Sequence, residues 1–228
     1  MVYNPDESTT ATGYDLWAPV YDDHDPSTWL DEPFLLEHLK PFHGCRILDL
    51  GCGTGRYLRR LSPGLYRITA MDLSRGMLTR AGREAGSRRD IDWVQASVTA
   101  LPFQLRRFDR IMSGLVIDHV EQPEHLFRQL AAVLAPAGRA VVAGVHPDMQ
   151  RLTGPEIDVA SEQGAARIQG HLHEVTALTK AATEAGLRVA LIEEPRVTRA
   201  MIEQRPAWTR KLGCAALVLL LLLSNADG

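Results

Sequence analysis

Cysteine is scarce: Cys45, Cys52 and Cys214 are the only three in 228 residues, and no two stand as CxxC. That excludes a disulfide framework and a zinc-ribbon pattern, predicts no metal site, and fits a reducing compartment. A surplus of positive charge is missing too. The net charge is −3, and the basic pairs Arg88-Arg89, Arg106-Arg107 and Arg210-Lys211 are scattered, as solvated surface is. A nucleic-acid partner usually leaves a basic stripe, so none is expected. The first twelve residues are polar, with Asp6 and Glu7, and do not form a secretory signal. The one long apolar run, residues 215–223, has nine residues. A bilayer span needs about 20, so this run reads as a buried strand and no membrane is expected. Internal repeats and long low-complexity linkers are also absent. What is present is globular: 45% hydrophobic and 23% charged residues, in a length that fits one α/β domain. The expectation is a cytoplasmic protein, monomer or homodimer.

The most informative segment is Ile47-Leu48-Asp49-Leu50-Gly51-Cys52-Gly53-Thr54-Gly55. An apolar strand ends in an acid, turns through three alternate glycines, and leads into a predicted helix at Arg56-Tyr57-Leu58. Glycine lets a ligand approach bare backbone, and a helix N-terminus offers amide donors to an anion. The spacing is GxGxG, neither GxGxxG nor GxxxxGK[ST], and no Lys-Ser or Lys-Thr follows to hold a phosphate. Asp49 would repel a pyrophosphate and suits a ligand with its own positive charge. Asp72 closes the next strand, 17 residues beyond Gly55, where an acid can accept both ribose hydroxyls.

The chain alternates strands and helices, which predicts a parallel sheet. Helices are expected at 14–23 and 27–39 before the sheet. Strands follow at 46–49, 67–72, 92–96, 110–113, 139–145, 187–192 and 214–223. Between them lie a helix capped by Ser74 and running to about Ala85, one at 124–134 and one at 174–185. Residues 147–170 show no clean period and read as an insertion or lid.

Asp49-x-Gly51-x-Gly53-x-Gly55 followed by Asp72 resembles the S-adenosylmethionine site of class I methyltransferases. Leu101-Pro102-Phe103, Phe108-Asp109-Arg110-Ile111, His119-Val120, Leu134-x-Pro136-x-Gly138 and Ala185-Gly186-Leu187 with Glu194-Pro195 resemble further signals of that family, in its order. Tyr14-Asp15-x-Trp17 and Tyr21-Asp22 resemble the N-terminal segment of its small, single-domain members. The resemblance covers residues 14–223. It implies a Rossmann-like, mostly parallel seven-stranded α/β sheet, helices on both faces, with the last strand antiparallel between the fifth and sixth. It implies one domain over 1–228: a helical cap (1–40), a cofactor-binding half (44–146), substrate-side insertions (147–213) and the last strand (214–223). It implies S-adenosylmethionine as cofactor, S-adenosylhomocysteine as product, and methyl transfer to O, N or C of a small organic molecule such as a secondary metabolite. Alternatives are a cofactor-binding enzyme of this fold that catalyses a non-methyl step such as cyclisation, and a non-catalytic cofactor-binding module.

The cofactor-binding set expected on this basis is Tyr14, Tyr21, Asp49, Gly51, Cys52, Gly53, Gly55, Asp72, Leu73, Met77, Ser97, Val98 and Ser113. Where the family places Gly-Asp before its LPF signal, with the acid on the adenine amine, this chain has Ala96-Ser97. Ser97 accepts a hydrogen bond less strongly than a carboxylate, so the base leans on Val98, Leu73 and Met77. Cys52 has no basic partner in the sequence and reads as a small filler of the turn. Three residues are candidates for the chemistry. His119 follows the fourth strand, His146 ends the fifth at the carboxyl edge where open α/β sheets bind ligands, and Tyr21 can face a sulfonium. Trp17 reads as packing, and one of His171 and His173 matches a histidine of the family.

Overall fold

In the computed structural model, residues 5–24, 30–162, 164–204 and 206–224 are described. Helix α1 (Pro5–Trp17) continues through a 3-10 turn into α2 (Tyr21–His24), and α3 (Glu32–Leu39) follows. Then come β1 (Arg46–Leu50), β2 (Arg67–Asp72), α4 (Arg75–Ala85), β3 (Ile91–Gln95), β4 (Phe108–Gly114), α5 (Pro123–Val133) and β5 (Leu134–Val145). The remainder is α6 (Pro147–Thr153), β6 (Ile157–Ser161), β7 (Gly164–Ile168), α7 (Val175–Glu184), β8 (Leu187–Glu193), α8 (Arg199–Gln204) and β9 (Leu217–Ser224).

Seven strands form one sheet in the order β3-β2-β1-β4-β5-β9-β8, and β6 and β7 form a separate antiparallel pair. All contacts from β3 to β5 are parallel. Strand β9 runs antiparallel to both neighbours, pairing Leu217–Leu223 with Val145–Arg139 on one side and Leu219–Ser224 with Glu193–Leu187 on the other. This is the expected class I methyltransferase architecture. The leucine run divides by pleat: Val218, Leu220 and Leu222 join the core beneath α5 and α7, while Leu219 and Leu221 join the core beneath α3. A strand covered on both faces can be apolar at every position.

Two local readings need correction, and part of a third lies outside the described residues. Helix α1 starts nine residues before the expected Tyr14, because a polar segment without apolar period gave no helical signal. Residues 27–29 of the second expected helix lie outside the described residues. The helix expected at Arg56 is a run of turns followed by one 3-10 turn, Leu58–Arg60. Its side chains have other work. Arg56 donates to both carboxylate oxygens of buried Asp31 (2.6 and 2.7 Å), and the Tyr57 hydroxyl donates to the same acid at 2.5 Å.

The segment at 147–170 is ordered as α6 and the β6–β7 pair. Helix α1 packs on that pair, and the approach is close. A Cβ added at Gly13 would lie 2.4 Å from Ile168 Cγ1.

Candidate active site

The parallel strands end together at one edge, and two adjoining cavities open there. The first is walled by Gly51 and Gly53 after β1, Asp72, Leu73 and Met77 after β2, Ser97 and Val98 after β3, and Tyr14 and Tyr21 from the N-terminal helices. At Gly51 the backbone has φ +73°, and a Cβ would lie 2.2 Å from Val116 Cγ2. Only glycine fits there, which explains the motif's first glycine.

Asp72 is fixed by two backbone donors, Gly53 N–H to Oδ2 and Ser74 N–H to Oδ1, each 2.8 Å. Burial raises its carboxyl to about 6, and these amides limit the rise. It is therefore ionised at neutral pH, with acceptor capacity left for a diol. Ser74 caps α4 as expected, accepting from Met77 N–H at 3.0 Å.

Asp49 lies beneath the loop, fully buried, and neither carboxylate oxygen has a hydrogen bond among the described residues. Desolvation pushes its carboxyl up to about 8, against the pull of Arg56. An orphaned buried acid under bare glycine backbone fits a cationic ligand above it and no structural role. The loop amides do not form the expected anion cradle. Gly51 and Cys52 N–H donate to Met71 O, Gly53 N–H to Asp72, and Gly55 N–H to Cys52 O. Cys52, Gly55, Asp49 and Ser113 do not line either cavity. Burial raises the Cys52 thiol well above its ordinary value, so it is no nucleophile.

The second cavity is lined by aromatic Trp17 and Trp208, apolar Leu30, Met149 and Leu217, and the polar Asp118, Gln150 and Lys211. Four residues line both cavities: Tyr14, Tyr21, Leu115 and His119. There Tyr14 Oη lies 2.7 Å from His119 Nε2, and His119 Nδ1 lies 3.1 Å from the Gln169 carbonyl. A carbonyl only accepts, so Nδ1 carries the proton and Nε2 receives the Tyr14 hydroxyl. Burial lowers the His119 pKa, keeping the ring neutral at pH 7.

His146 is placed elsewhere. It caps α6, accepting from Asp148 N–H at Nδ1 and reaching Glu194 through Nε2 at 2.8 Å, and it lines neither cavity. Its position at the end of β5 gave the right edge and the wrong direction. His173 meets the Val120 carbonyl at 2.8 Å.

Asp118 was missed. It is buried on the second cavity, accepts from Val145 N–H (2.9 Å) and Gln150 Nε2 (3.1 Å), and burial lifts its carboxyl to about 7. Nothing in Ile117-Asp118-His119 distinguishes it from a surface acid in sequence.

Residues 48–142 match the methyltransferase domain family. Malonyl-[acyl-carrier protein] O-methyltransferase of Erwinia pyrifoliae is 35% identical over 107 residues, 47% of this chain and 40% of that protein. Ubiquinone/menaquinone biosynthesis C-methyltransferase UbiE of Roseobacter denitrificans is 32% identical over 142 residues, 59% of this chain and 55% of that one. The chain thus spans about half the length of these curated relatives. The crystal structure of an S-adenosylmethionine-dependent methyltransferase from Mesorhizobium loti superposes with TM-score 0.67 at 26% identity, covering 85% of this chain and 97% of the other. Residues 48–142 thus resemble a methyltransferase domain, and the fold is that of the S-adenosylmethionine-dependent enzyme from Mesorhizobium loti. The orphaned Asp49, the bare Gly51–Gly53 backbone and the braced Asp72 fit the cofactor that the Mesorhizobium loti enzyme is named for.

Proposed function

We propose that the chain transfers a methyl group from S-adenosylmethionine to an oxygen, nitrogen or carbon of a small organic molecule held in the second cavity. The observation that carries this reading is the shared wall, Tyr14, Tyr21, Leu115 and His119, between the two cavities. A donor in one and an acceptor in the other would meet there.

When bound, S-adenosylmethionine supplies an electrophilic methyl on a positively charged sulfur. Asp72 would hold the ribose hydroxyls, and Asp49, protonated in the free protein, would ionise beneath the loop as the cationic ligand binds. Tyr21 stacks edge-on with Trp17, ring centroids 4.8 Å apart, and offers an aromatic face that favours a cation. Alignment of reacting groups about 3–3.5 Å apart in a dry site supplies much of the acceleration. The Tyr14–His119 pair can also take a proton. An acceptor hydroxyl gives its proton to Tyr14 Oη while the Tyr14 proton passes to His119 Nε2. The second cavity is walled mostly by apolar and aromatic side chains, which suits a small organic acceptor over a nucleic acid.

Asp72→Ala is expected to weaken S-adenosylhomocysteine binding by about 1.5–3 kcal/mol, the scale of hydrogen bonds to a charged group. Titration calorimetry checks it, and an unchanged affinity removes Asp72 from the site. His119→Ala should lower kcat by about 10²-fold with cofactor affinity nearly intact, once phenols, amines and hydroxylated metabolites have been screened with labelled cofactor. Because burial depresses the His119 pKa, the acid limb of the kcat profile should lie below pH 6.5 and vanish in the variant. A loss of only a few-fold would leave catalysis to alignment alone.

A further inference from the structure

The sheet order gives the first cavity a direction. From β3 through β2 and β1 to β4, it passes Ser97-Val98-Thr99, Asp72-Leu73, Gly51–Gly53 and finally His119. On the proposed reading, the ribose sits at Asp72 and the reacting sulfur near Tyr14 and His119. The purine base then lies at the β3 end, among Leu73, Met77 and Val98.

At that end stands a carboxylate from a different part of the chain. Glu7 of α1 lines the cavity and reaches across to the β3 loop. Its Oε1 accepts from Ser97 Oγ at 2.7 Å and from Thr99 Oγ1 at 2.8 Å. Ser97 Oγ in turn accepts from Thr99 N–H at 3.1 Å. No hydrogen bond reaches Glu7 Oε2 among the described residues. Glu7, Thr10 and Tyr14 all line the same cavity, as spacings of three and four along one helix face allow. Two hydroxyls spent on orienting one carboxylate oxygen leave the other available to a donor from the cavity.

We infer that Glu7 is a cofactor-binding residue whose Oε2 accepts the exocyclic amine of the adenine ring. The N-terminal helix therefore reads the base, and Ser97 and Thr99 are positioning residues that aim Glu7. The inference rests on the cavity being the S-adenosylmethionine site, and its test separates the two.

Titration calorimetry would compare S-adenosylhomocysteine with S-inosylhomocysteine, in which an oxo group replaces the amine. The wild-type chain should prefer the adenosyl compound by about tenfold or more, the scale of a hydrogen bond to a charged group. In Glu7→Gln the amide presents its own donor, so adenosyl affinity should fall about tenfold and the preference should disappear. Ser97→Ala should lose part of the preference. Equal wild-type affinity for the two compounds overturns the inference, as does a preference that survives in Glu7→Gln. Failure of the wild-type chain to bind either compound overturns the cofactor reading itself. The wild-type comparison needs no variant, and thermal melting monitored by circular dichroism shows that Glu7→Gln remains folded.

Discussion

Deleting residues 214–228 should abolish folding. Strand β9 sits between β5 and β8, and it is the strand that ties β8 to the sheet. Its six residues from Leu217 to Leu222 are each 9% exposed or less. Burial of such side chains contributes about 1.5–3 kcal/mol apiece, so the loss is on the order of 10 kcal/mol or more. That equals the whole stability of a typical domain, about 5–15 kcal/mol. The deletion would also open the long edge of β5 to other chains. The truncated chain should show no cooperative thermal transition and should be recovered from inclusion bodies. A soluble truncated chain that melts cooperatively would show β9 to be dispensable and would reopen the reading of the leucines as an anchor. Among the described residues no helix is long and apolar enough to cross a membrane.

Replacing Asp49 by Asn should make the free protein more stable and a poorer binder. Burial raises this carboxyl from 3.8 to about 8. The folded state therefore holds a proton that the unfolded chain releases, and stability falls as pH rises from about 4 to about 8. Each pKa unit corresponds to about 1.4 kcal/mol, so the destabilisation at pH 8 is on the order of 3–5 kcal/mol. Asn is nearly the same shape and carries no titration. Denaturant melts should show Asp49→Asn stabilised by roughly 3 kcal/mol at pH 8 and by much less at pH 5. Its affinity for S-adenosylhomocysteine should drop at least about tenfold, since a buried negative charge near a cation is lost. A variant that is less stable than wild type at pH 8 would mean that Asp49 is a satisfied structural acid. Sites that bind charge commonly carry such a cost in the free protein.

The sheet was legible because its strands are short apolar runs bounded by turn residues, and β1, β2 and β9 differ from the sequence reading by three residues or fewer at each end. Asp72 and the glycine loop were legible because their spacing is local. Two kinds of information were hidden. The first is partnership across distance: Tyr14 and His119 are 105 positions apart, Glu7 and Ser97 are 90 apart, and no local period announces either pair. The second is side-chain direction at an element's end. His146 was placed at the correct edge, but Pro147 starts α6 there and turns the imidazole into a cap. Arg56 likewise ends the glycine loop by turning inward to Asp31, so no α-helix begins where the motif alone would start one.

The latch between α1 and α4 bears on how often the site can turn over. Asp15 of α1 accepts from Ser74 Oγ at 2.5 Å and from Gly76 N–H at 2.7 Å, beside the α4 terminus that follows Asp72 and Leu73. Asp22 accepts from Thr54 Oγ1 at 2.8 Å, next to Gly53 and Gly55, and lies 3.5 Å from Arg80. The same N-terminal segment that completes the site is thus bolted to the loops after β1 and β2. A ligand that enters or leaves past this segment has to wait for those contacts to open.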